Sequence, residues 1–433
     1  MLEKLRNRFY WLFDYIKGGR VKKHYNQIKF ILENYGSTEA EKLRSNNLKN
    51  LLNHAVEHVP FYKSYSKTLD LQSFPVINKA IIREQLDQFQ SSFFKGEKLY
   101  KMTTSGSSGT PFTTIQNKEK KDRNTADTIY LKEQVGFMVG GRLYYVRKWF
   151  KLHQRSGLVA KLQNIVMVNV TEFDDDYLSN FIRNLQSDKS KKAILAYSSA
   201  LRDICLYLDR IDSEPLDTEI ECIIAMAEGI SDSTRASLQK YFNAPVYIRY
   251  SNNENGILSL QLSEKNHHLQ INWASYYVEV LKLNSDEPAI YGELGRVVVT
   301  DLFNYQMPFI RYDTGDLAVM VEDDTFNKAP AFSEVNGRKM DAIYNTRGQL
   351  QSTFIVFHLE QYPEIKQFQF IQEGRKEYCV KLNVSEVNIE SETEIIKMFK
   401  SYLGQDAEVR FLYEDSIPQL SSGKRRLVVN NFS

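Results

Sequence analysis

Thr103-Thr104-Ser105-Gly106-Ser107-Ser108-Gly109-Thr110-Pro111 is the most informative stretch of this chain. Hydroxyl side chains and glycines at this density make a loop whose backbone N–H and side-chain O–H groups can all point donors at an anion. Tyr100 and Met102 before it, and Thr113–Ile115 after it, predict a strand–loop–strand. The loop lacks the Gly-Lys-Ser/Thr ending of a Walker A loop and is not a GxGxxG turn. Composition alone favours a plain Ser/Gly surface loop, so the weight falls on the rest of the chain.

Around that loop the hydrophobic pattern predicts an α/β protein. Leu48, Leu51, Leu52, Ala55, Val56 and Val59 recur at helical spacing and stop at Pro60. Short apolar runs at Ala193–Tyr197, Cys222–Ala225 and Pro245–Tyr250 alternate with helical stretches at Leu201–Ile211 and Thr234–Phe242. That alternation predicts largely parallel, helix-flanked sheets. From about residue 255 the pattern becomes a β-meander or barrel, through Ile257–Leu262, His268–Trp273, Tyr277–Leu283 and Gly295–Thr300. Beyond about residue 342 a smaller α+β unit is expected, with a helix near Ser391–Leu403. Ser391 and Glu394 are spaced as a capping box ahead of Ile395.

A length of 433 residues implies two or three domains. Lys plus Arg is 56 against 54 Asp plus Glu, which lacks the basic field a nucleic-acid partner requires. Cys205, Cys222 and Cys379 form no CxxC pair, giving neither a zinc knuckle nor a disulfide framework. His267 and His268 are adjacent and do not share a helix face, which argues against a metal site there. No apolar run reaches a bilayer-spanning length, and Arg6, Arg8 and Asp14 interrupt any signal-peptide core, so a cytoplasmic protein is expected. Residues 1–25 mix Phe9, Trp11, Leu12, Phe13 and Ile16 with Lys4, Arg6, Arg8, Lys17 and Arg20. Two readings stay open for that basic amphipathic helix: contact with an anionic membrane surface, or docking on the domain.

Four further motifs follow in order. Tyr250-Ser251-Asn252-Asn253-Glu254 places an aromatic face, amides and a carboxylate at a strand end, suited to a purine and to magnesium. Arg311-Tyr312-Asp313-Thr314-Gly315-Asp316 presents carboxylates that can accept hydrogen bonds from ribose hydroxyls. Gly337-Arg338 and Asp341 come next, and Ser421-Ser422-Gly423-Lys424-Arg425-Arg426 forms a cationic loop. Each alone is more often a solvated turn than a site.

Together, in this order, they resemble the adenylate-forming superfamily of acyl-CoA synthetases, peptide-synthetase adenylation domains and luciferases. The likeness is greatest to the branch of phenylacetate–CoA ligases and the CapK-like proteins of capsule and exopolysaccharide gene clusters. Leu51–Tyr62 and Phe74-Pro75-Val76-Ile77-Asn78-Lys79 share it. The resemblance implies ATP and Mg2+ as cofactors, a carboxylic acid substrate, and an acceptor that could be CoA, a carrier protein, an amine or a glycan. It implies a core over residues 1–336, a hinge over 337–341 and a mobile lid over 342–433.

Residue by residue, the resemblance makes Thr104, Ser105, Gly106, Ser107, Ser108, Gly109 and Thr110 the phosphate loop. Tyr250 becomes the aromatic beside adenine, Asn253 a phosphate neighbour and Glu254 the catalytic carboxylate that holds magnesium. Asp316 would bind the ribose, Arg338 the ribose or a phosphate, and Asp341 would be the hinge. Lys424 would be the catalytic lysine that neutralises the α-phosphate and acyl carboxylate. Glu228 falls near the adenine strand without a role. There are departures from the superfamily pattern: Phe112 follows the proline where a lysine is common, Asn253 replaces threonine, Ser251 replaces glycine, and Lys339-Met340 precedes the hinge.

Asp415-Ser416-Ile417 resembles a phosphopantetheine attachment triplet but leaves no room for a carrier domain and reads as lid structure. Two alternatives remain: an enzyme that passes the acyl group directly to an amine or sugar, and an inactive nucleotide-binding scaffold of a polysaccharide-synthesis complex. Retention of Lys424 and Glu254 argues against the scaffold.

Overall fold

The computed structural model describes residues 2–65, 69–104, 112–149, 157–362, 364–387, 389–420 and 423–432. Helices α1 (Leu2–Ile16), α2 (Arg20–Glu33) and α3 (Thr38–His58) open the chain. Ser37 caps α3 by accepting from the Ala40 N–H at 3.2 Å, and the helix ends before Pro60 as the pattern predicts. The basic N-terminal segment is two helices, not one. Gly18 and Gly19, at φ +96° and +65°, break it, and the buried Asp14 carboxylate accepts from the Val21 and Lys22 N–H groups that open α2.

A short helix, α4 (Lys79–Glu84), precedes the hairpin of β1 (Tyr100–Thr104) and β2 (Phe112–Gln116), which flank the hydroxyl-rich loop as expected. Then come α5 (Lys118–Gln134), β3 (Arg142–Arg147), α6 (Gly157–Leu162), β4 (Ile165–Asn169), α7 (Asp175–Ser187) and β5 (Lys192–Tyr197). They continue into α8 (Ser198–Arg210), β6 (Ile220–Met226), α9 (Asp232–Phe242) and β7 (Val246–Asn252). The meander is β8 (Gly256–Gln261), β9 (Leu269–Ile271), β10 (Tyr276–Leu281), β11 (Leu294–Asp301), β12 (Tyr312–Glu322) and β13 (Pro330–Arg338).

All but the hairpin join one 11-stranded sheet, ordered β10-β11-β12-β13-β9-β8-β7-β6-β5-β3-β4. Strands β7, β6, β5, β3 and β4 run parallel, and β7 to β8 turns antiparallel into the meander. Every residue of β5 is buried, as a parallel strand covered on both faces requires. The sheet's carboxyl ends, where α/β folds bind ligands, therefore lie beside the turn at Asn253 and Glu254.

From Ile343 onward a separate hydrophobic core forms around Phe368, Phe370, Tyr378, Val380, Ile395 and Phe399. It contains the pair β14 (Ile343–Tyr344) and β15 (Leu350–Gln351), then β16 (Ile365–Gln372), β17 (Glu377–Val384), α10 (Ile389–Leu403), β18 (Glu408–Tyr413) and β19 (Val428–Asn430). Its four-stranded sheet is ordered β18-β17-β16-β19. Helix α10 begins at Ile389, so Ser391 lies inside its first turn and the expected capping box with Glu394 is not the helix start. Ile417 is buried and its N–H donates to the Gln367 side chain at 2.7 Å, so the carrier-like triplet belongs to this unit.

Candidate active site

The β7–β8 turn carries Asn253 and Glu254. Asn253 is exposed, whereas Glu254 is buried, its carbonyl accepting from the Gln116 side chain of β2 at 3.3 Å. The Glu254 carboxylate receives Lys79 Nζ at 2.5 Å and the Tyr312 hydroxyl at 3.3 Å. Lys79 reaches it because a backbone bridge fixes the preceding residues: the Ile77 N–H donates to the Arg311 carbonyl at 3.0 Å, and the Asp313 N–H to the Ile77 carbonyl at 2.7 Å. Phe74 and Ile77 pack below with Phe112, Phe309 and Tyr312. Lys79 and Tyr312 lay within quoted segments of the sequence but received no role.

Tyr250, in β7, crosses to β12. Its hydroxyl donates to Asp316 Oδ2 at 2.7 Å, and its ring meets Phe332 edge-on at 6.1 Å. Burial raises the Asp316 carboxyl above its usual range; the Tyr250 hydroxyl and the Arg338 guanidinium oppose that shift. Burial and the Asp316 charge together push the Tyr250 phenol well above its ordinary value. Arg338 stands directly across the β12–β13 ladder from Asp316. The structure thus gathers Tyr250, Glu254, Asp316 and Arg338 into one cluster, with Lys79 added.

A second cluster is built by the β6–α9 turn and the start of α8. Ala227 sits at φ +76°, a conformation non-glycine residues rarely hold, and aims Glu228 at the helix end. Glu228 Oε2 accepts from the Ser199 N–H at 3.0 Å, a carboxylate on the positive end of α8. Burial raises its pKa, while Ser199 and Lys424 hold it down.

Lys424 comes from the C-terminal unit. Its Nζ lies 5.7 Å from the Tyr197 ring centroid. Burial lowers its pKa; Glu228 and Asp316 counter that while Arg338 and Arg147 add to it, so the ammonium stands within electrostatic reach of carboxylates and guanidiniums of the core. Gly423, at φ +81°, allows the approach: a Cβ there would stand 2.7 Å from the Lys148 Cβ of the core. Arg425 pairs with Asp203 at 3.5 Å, and Glu360 lies 3.1 Å from Arg202. Asp341 forms part of a single 3₁₀ turn, Lys339–Asp341, and its carboxylate accepts from the Arg426 guanidinium, whose Nε is at 2.9 Å.

Ser105, Gly106, Ser107, Ser108, Gly109 and Thr110 lie outside the described residues, and of Thr104 only the backbone, ending β1, is described. Among the described residues no three His, Cys, Asp or Glu side chains are grouped to hold a metal. Glu254 offers one carboxylate, which fits a magnesium ion held chiefly by nucleotide phosphates and water.

Residues 343–431 match the family model of the CapK C-terminal domain. Protein CapK of Staphylococcus aureus is 24% identical, over 96% of this chain and 94% of the relative. Among solved structures, a 2-hydroxyisobutyryl-CoA ligase in the postadenylation state with 2-HIB-AMP overlays with a TM-score of 0.74 at 18% identity, covering 92% of this chain and 91% of that one. The same ligase with 2-HIB-AMP and CoA in the thioesterification state gives 0.60 at 17% identity, over 92% and 91%. The fold is that of the adenylate-forming CoA ligases, and the expectation drawn from the ordered motifs is borne out at that level.

Proposed function

We propose that this chain activates a carboxylic acid with ATP, forming an acyl-adenylate and releasing pyrophosphate, and then transfers the acyl group to an acceptor. The observation that carries this reading is the placement of Lys424, from the C-terminal unit, 5.7 Å from the Tyr197 ring of the core and within electrostatic reach of Glu228 and Asp316. Attack of a carboxylate on the α-phosphate brings two anions together, so a site for it must deliver a cation that is not already consumed by one fixed partner. Lys424 is such a cation, delivered by a separate unit that can move. Asp316 would accept from the ribose hydroxyls in place of its present Tyr250 donor, and Tyr250 would flank the base. Arg338 and Asn253 would face the phosphate side.

When bound, magnesium would neutralise phosphate charge from the Glu254 side, and Lys79 would move from that carboxylate to an anionic neighbour. Two half-reactions need two geometries, so residues 342–433 would act as a lid turning about 337–341. The CoA ligases that share the fold support CoA as acceptor, and the likeness to Protein CapK supports a place in capsule or exopolysaccharide synthesis.

ATP–pyrophosphate exchange with the purified protein, across a panel of carboxylic and amino acids, tests the reading. Exchange with at least one acid, lost in Lys424→Ala, is the expected result; exchange with none across the panel would sink it.

A further inference from the structure

Two arginines sit in strands whose other inward residues are apolar. Arg147 ends β3, and Arg249 lies in β7, with two strands (β5 and β6) between them in the sheet. Both turn toward the Tyr145 hydroxyl: Arg147 Nη1 donates to it at 3.3 Å. Burial would push that phenol up, yet the Arg249 and Arg147 guanidiniums outweigh it and set it below its ordinary value.

Neither guanidinium has a carboxylate at ion-pair distance among the described residues. Arg249 Nη2 meets only the Met226 thioether sulfur at 3.0 Å, a weak acceptor, and its Nε is closed off from solvent without a hydrogen-bond partner. Arg147 reaches the Lys148 carbonyl at 3.2 Å and lies 5.5 Å from the Trp149 ring. Arg202, Arg311 and Arg425 pair with Glu360, Glu279 and Asp203, and the buried Arg235 is met by the Val246 carbonyl and the Gln261 side chain. Two half-buried cations that share the Tyr145 hydroxyl and have no carboxylate beside them leave a place for a ligand that brings the counter-charge.

The nucleotide does not supply it in the proposed arrangement. Arg249 directly precedes Tyr250, so the two side chains leave opposite faces of β7. Tyr250 goes to Asp316, the nucleotide side, and Arg249 goes to Tyr145. The Arg147 side is nevertheless close enough to Lys424 and Tyr197 for their charges to be felt. A group bound between the guanidiniums would therefore belong to the molecule whose other end lies at Lys424.

We infer that Arg147 and Arg249 form an anion subsite on the face of β7 opposite Tyr250, and that the acid activated here carries a second carboxylate besides the one that reacts. The inference rests on the adenylation reading above and deepens it. Planar guanidinium forks match a carboxylate's paired oxygens, and Tyr145 adds a hydroxyl between them.

The test pairs each dicarboxylic acid with the monoacid of equal length: succinate with butyrate, glutarate with valerate, adipate with hexanoate, phthalate with benzoate. In pyrophosphate exchange the preferred dicarboxylate should exceed its partner in kcat/KM by at least about tenfold, the usual return on a hydrogen bond to a charged group. Arg249→Met and Arg147→Met should each raise KM for that dicarboxylate by roughly 10–100-fold and erase the preference. The ligand-free Arg249→Met protein should melt no lower than wild type, because the half-buried charge it loses has no carboxylate partner to strand. Wild-type preference for the monoacids, or preference surviving in both variants, would overturn the subsite. Should no acid support exchange, the adenylation reading fails on its own, and the melting temperature then decides the subsite. Stabilisation of wild type but not of the variants by a dicarboxylate keeps it, and no stabilisation removes it.

Discussion

The Glu360 carboxylate of the C-terminal unit lies 3.1 Å from the Arg202 guanidinium of the core and also accepts from the Ser233 and Thr234 hydroxyls, at 2.9 Å and 3.0 Å. Ser231 donates to the same oxygen and caps α9, so the carboxylate also faces that helix's positive end. Both partners of the ion pair are sheltered, at 11% and 6% side-chain exposure, which makes it a latch rather than a surface pair.

Removing one partner of a sheltered pair strands the other, at a cost of about 3–5 kcal/mol. Glu360→Gln should therefore loosen the lid's hold on the core while leaving its own core intact. Small-angle scattering should show a larger radius of gyration, and limited proteolysis should cut faster near residues 337–341. Scattering and cleavage unchanged from wild type would show that Glu360 holds nothing in place.

Lys424→Ala should lower adenylation by about 10²–10³, the usual effect of losing one preorganised charge-stabilising donor. ATP affinity and melting temperature should change little, because Lys424 approaches the cleft from outside the core. A variant that makes acyl-adenylate at the wild-type rate would take Lys424 out of the reaction.

Asp316→Ala should weaken nucleotide binding by about 1.5–3 kcal/mol, measured by calorimetric titration. The Tyr250 hydroxyl loses its acceptor in the same variant, so Tyr250→Phe is the control. It removes the donor and leaves the carboxylate for ribose, and should bind ATP more tightly than Asp316→Ala. Equal affinity in wild type and Asp316→Ala would move the nucleotide elsewhere.

The strands and the hairpin were legible because apolar runs bounded by turn residues report the local backbone. Glu254, Asp316 and Lys424 were legible because each sits in a short motif with its own turn. Lys79, Glu360 and Arg249 gain meaning only from partners far along the chain, which no local pattern encodes, and Arg147, whose own contacts are local, gains it only beside Arg249. Arg147 and Arg249 did leave a signal, a charge inside an apolar parallel strand, where burial ordinarily excludes it. The break at Gly18-Gly19 was also written in the sequence, but the continuous run of aromatic and basic residues masked it. The two-residue displacement of α10 has a different cause: Ser391 and Glu394 satisfy the capping spacing, yet Glu390 and Glu392 equally suit a first turn that starts at Ile389.

Helix α1 docks by one face and shows an apolar stripe on the other. Asn7 donates to the Val139 carbonyl at 3.1 Å and Trp11 meets Tyr25 at 5.5 Å, so the docking reading is correct for that face. Leu2, Leu5, Phe9, Leu12, Phe13 and Ile16 lie outward, each at least 48% exposed, beside Lys4, Arg8 and Lys17. An apolar stripe edged by cations suits an anionic bilayer surface, each cation adding about 1 kcal/mol at low salt. No helix among the described residues is long and apolar enough to cross a membrane. Vesicles containing phosphatidylglycerol should float the wild-type protein at low salt and release a Phe9→Glu, Leu12→Glu double variant, which spares the docked face. Deleting residues 1–23 would be a poorer test, since the cut enters α2. Equal recovery of the two proteins would leave the stripe without a membrane role.

The pivot can be tested at Asp341, where two effects must be separated. Its carboxylate binds Arg426, two residues beyond Lys424, so any substitution both alters the hinge and releases the lysine loop. Asp341→Ala loses the carboxylate and leaves the backbone free. Asp341→Pro loses the same carboxylate but also fixes φ near −65°, a value a 3₁₀ turn accommodates. Proline also removes the Asp341 N–H and disfavours helical backbone at Met340, so the first bond of the turn Lys339–Asp341 is lost while the Ala342 N–H can still donate to the Lys339 carbonyl, now at 3.2 Å. Whatever the two variants share reports the Arg426 pair, and whatever distinguishes them reports rotation. The C-terminal unit here already brings Lys424 beside Tyr197 of the core. A locked pivot should thus be held in the adenylation geometry. Asp341→Pro should exchange pyrophosphate at about the rate of Asp341→Ala yet fail to deliver the acyl group to its acceptor, while Asp341→Ala delivers it. If the proline variant transfers the acyl group as fast as the alanine variant, residues 337–341 do not turn at Asp341, and the second half-reaction must use the lid in its present position.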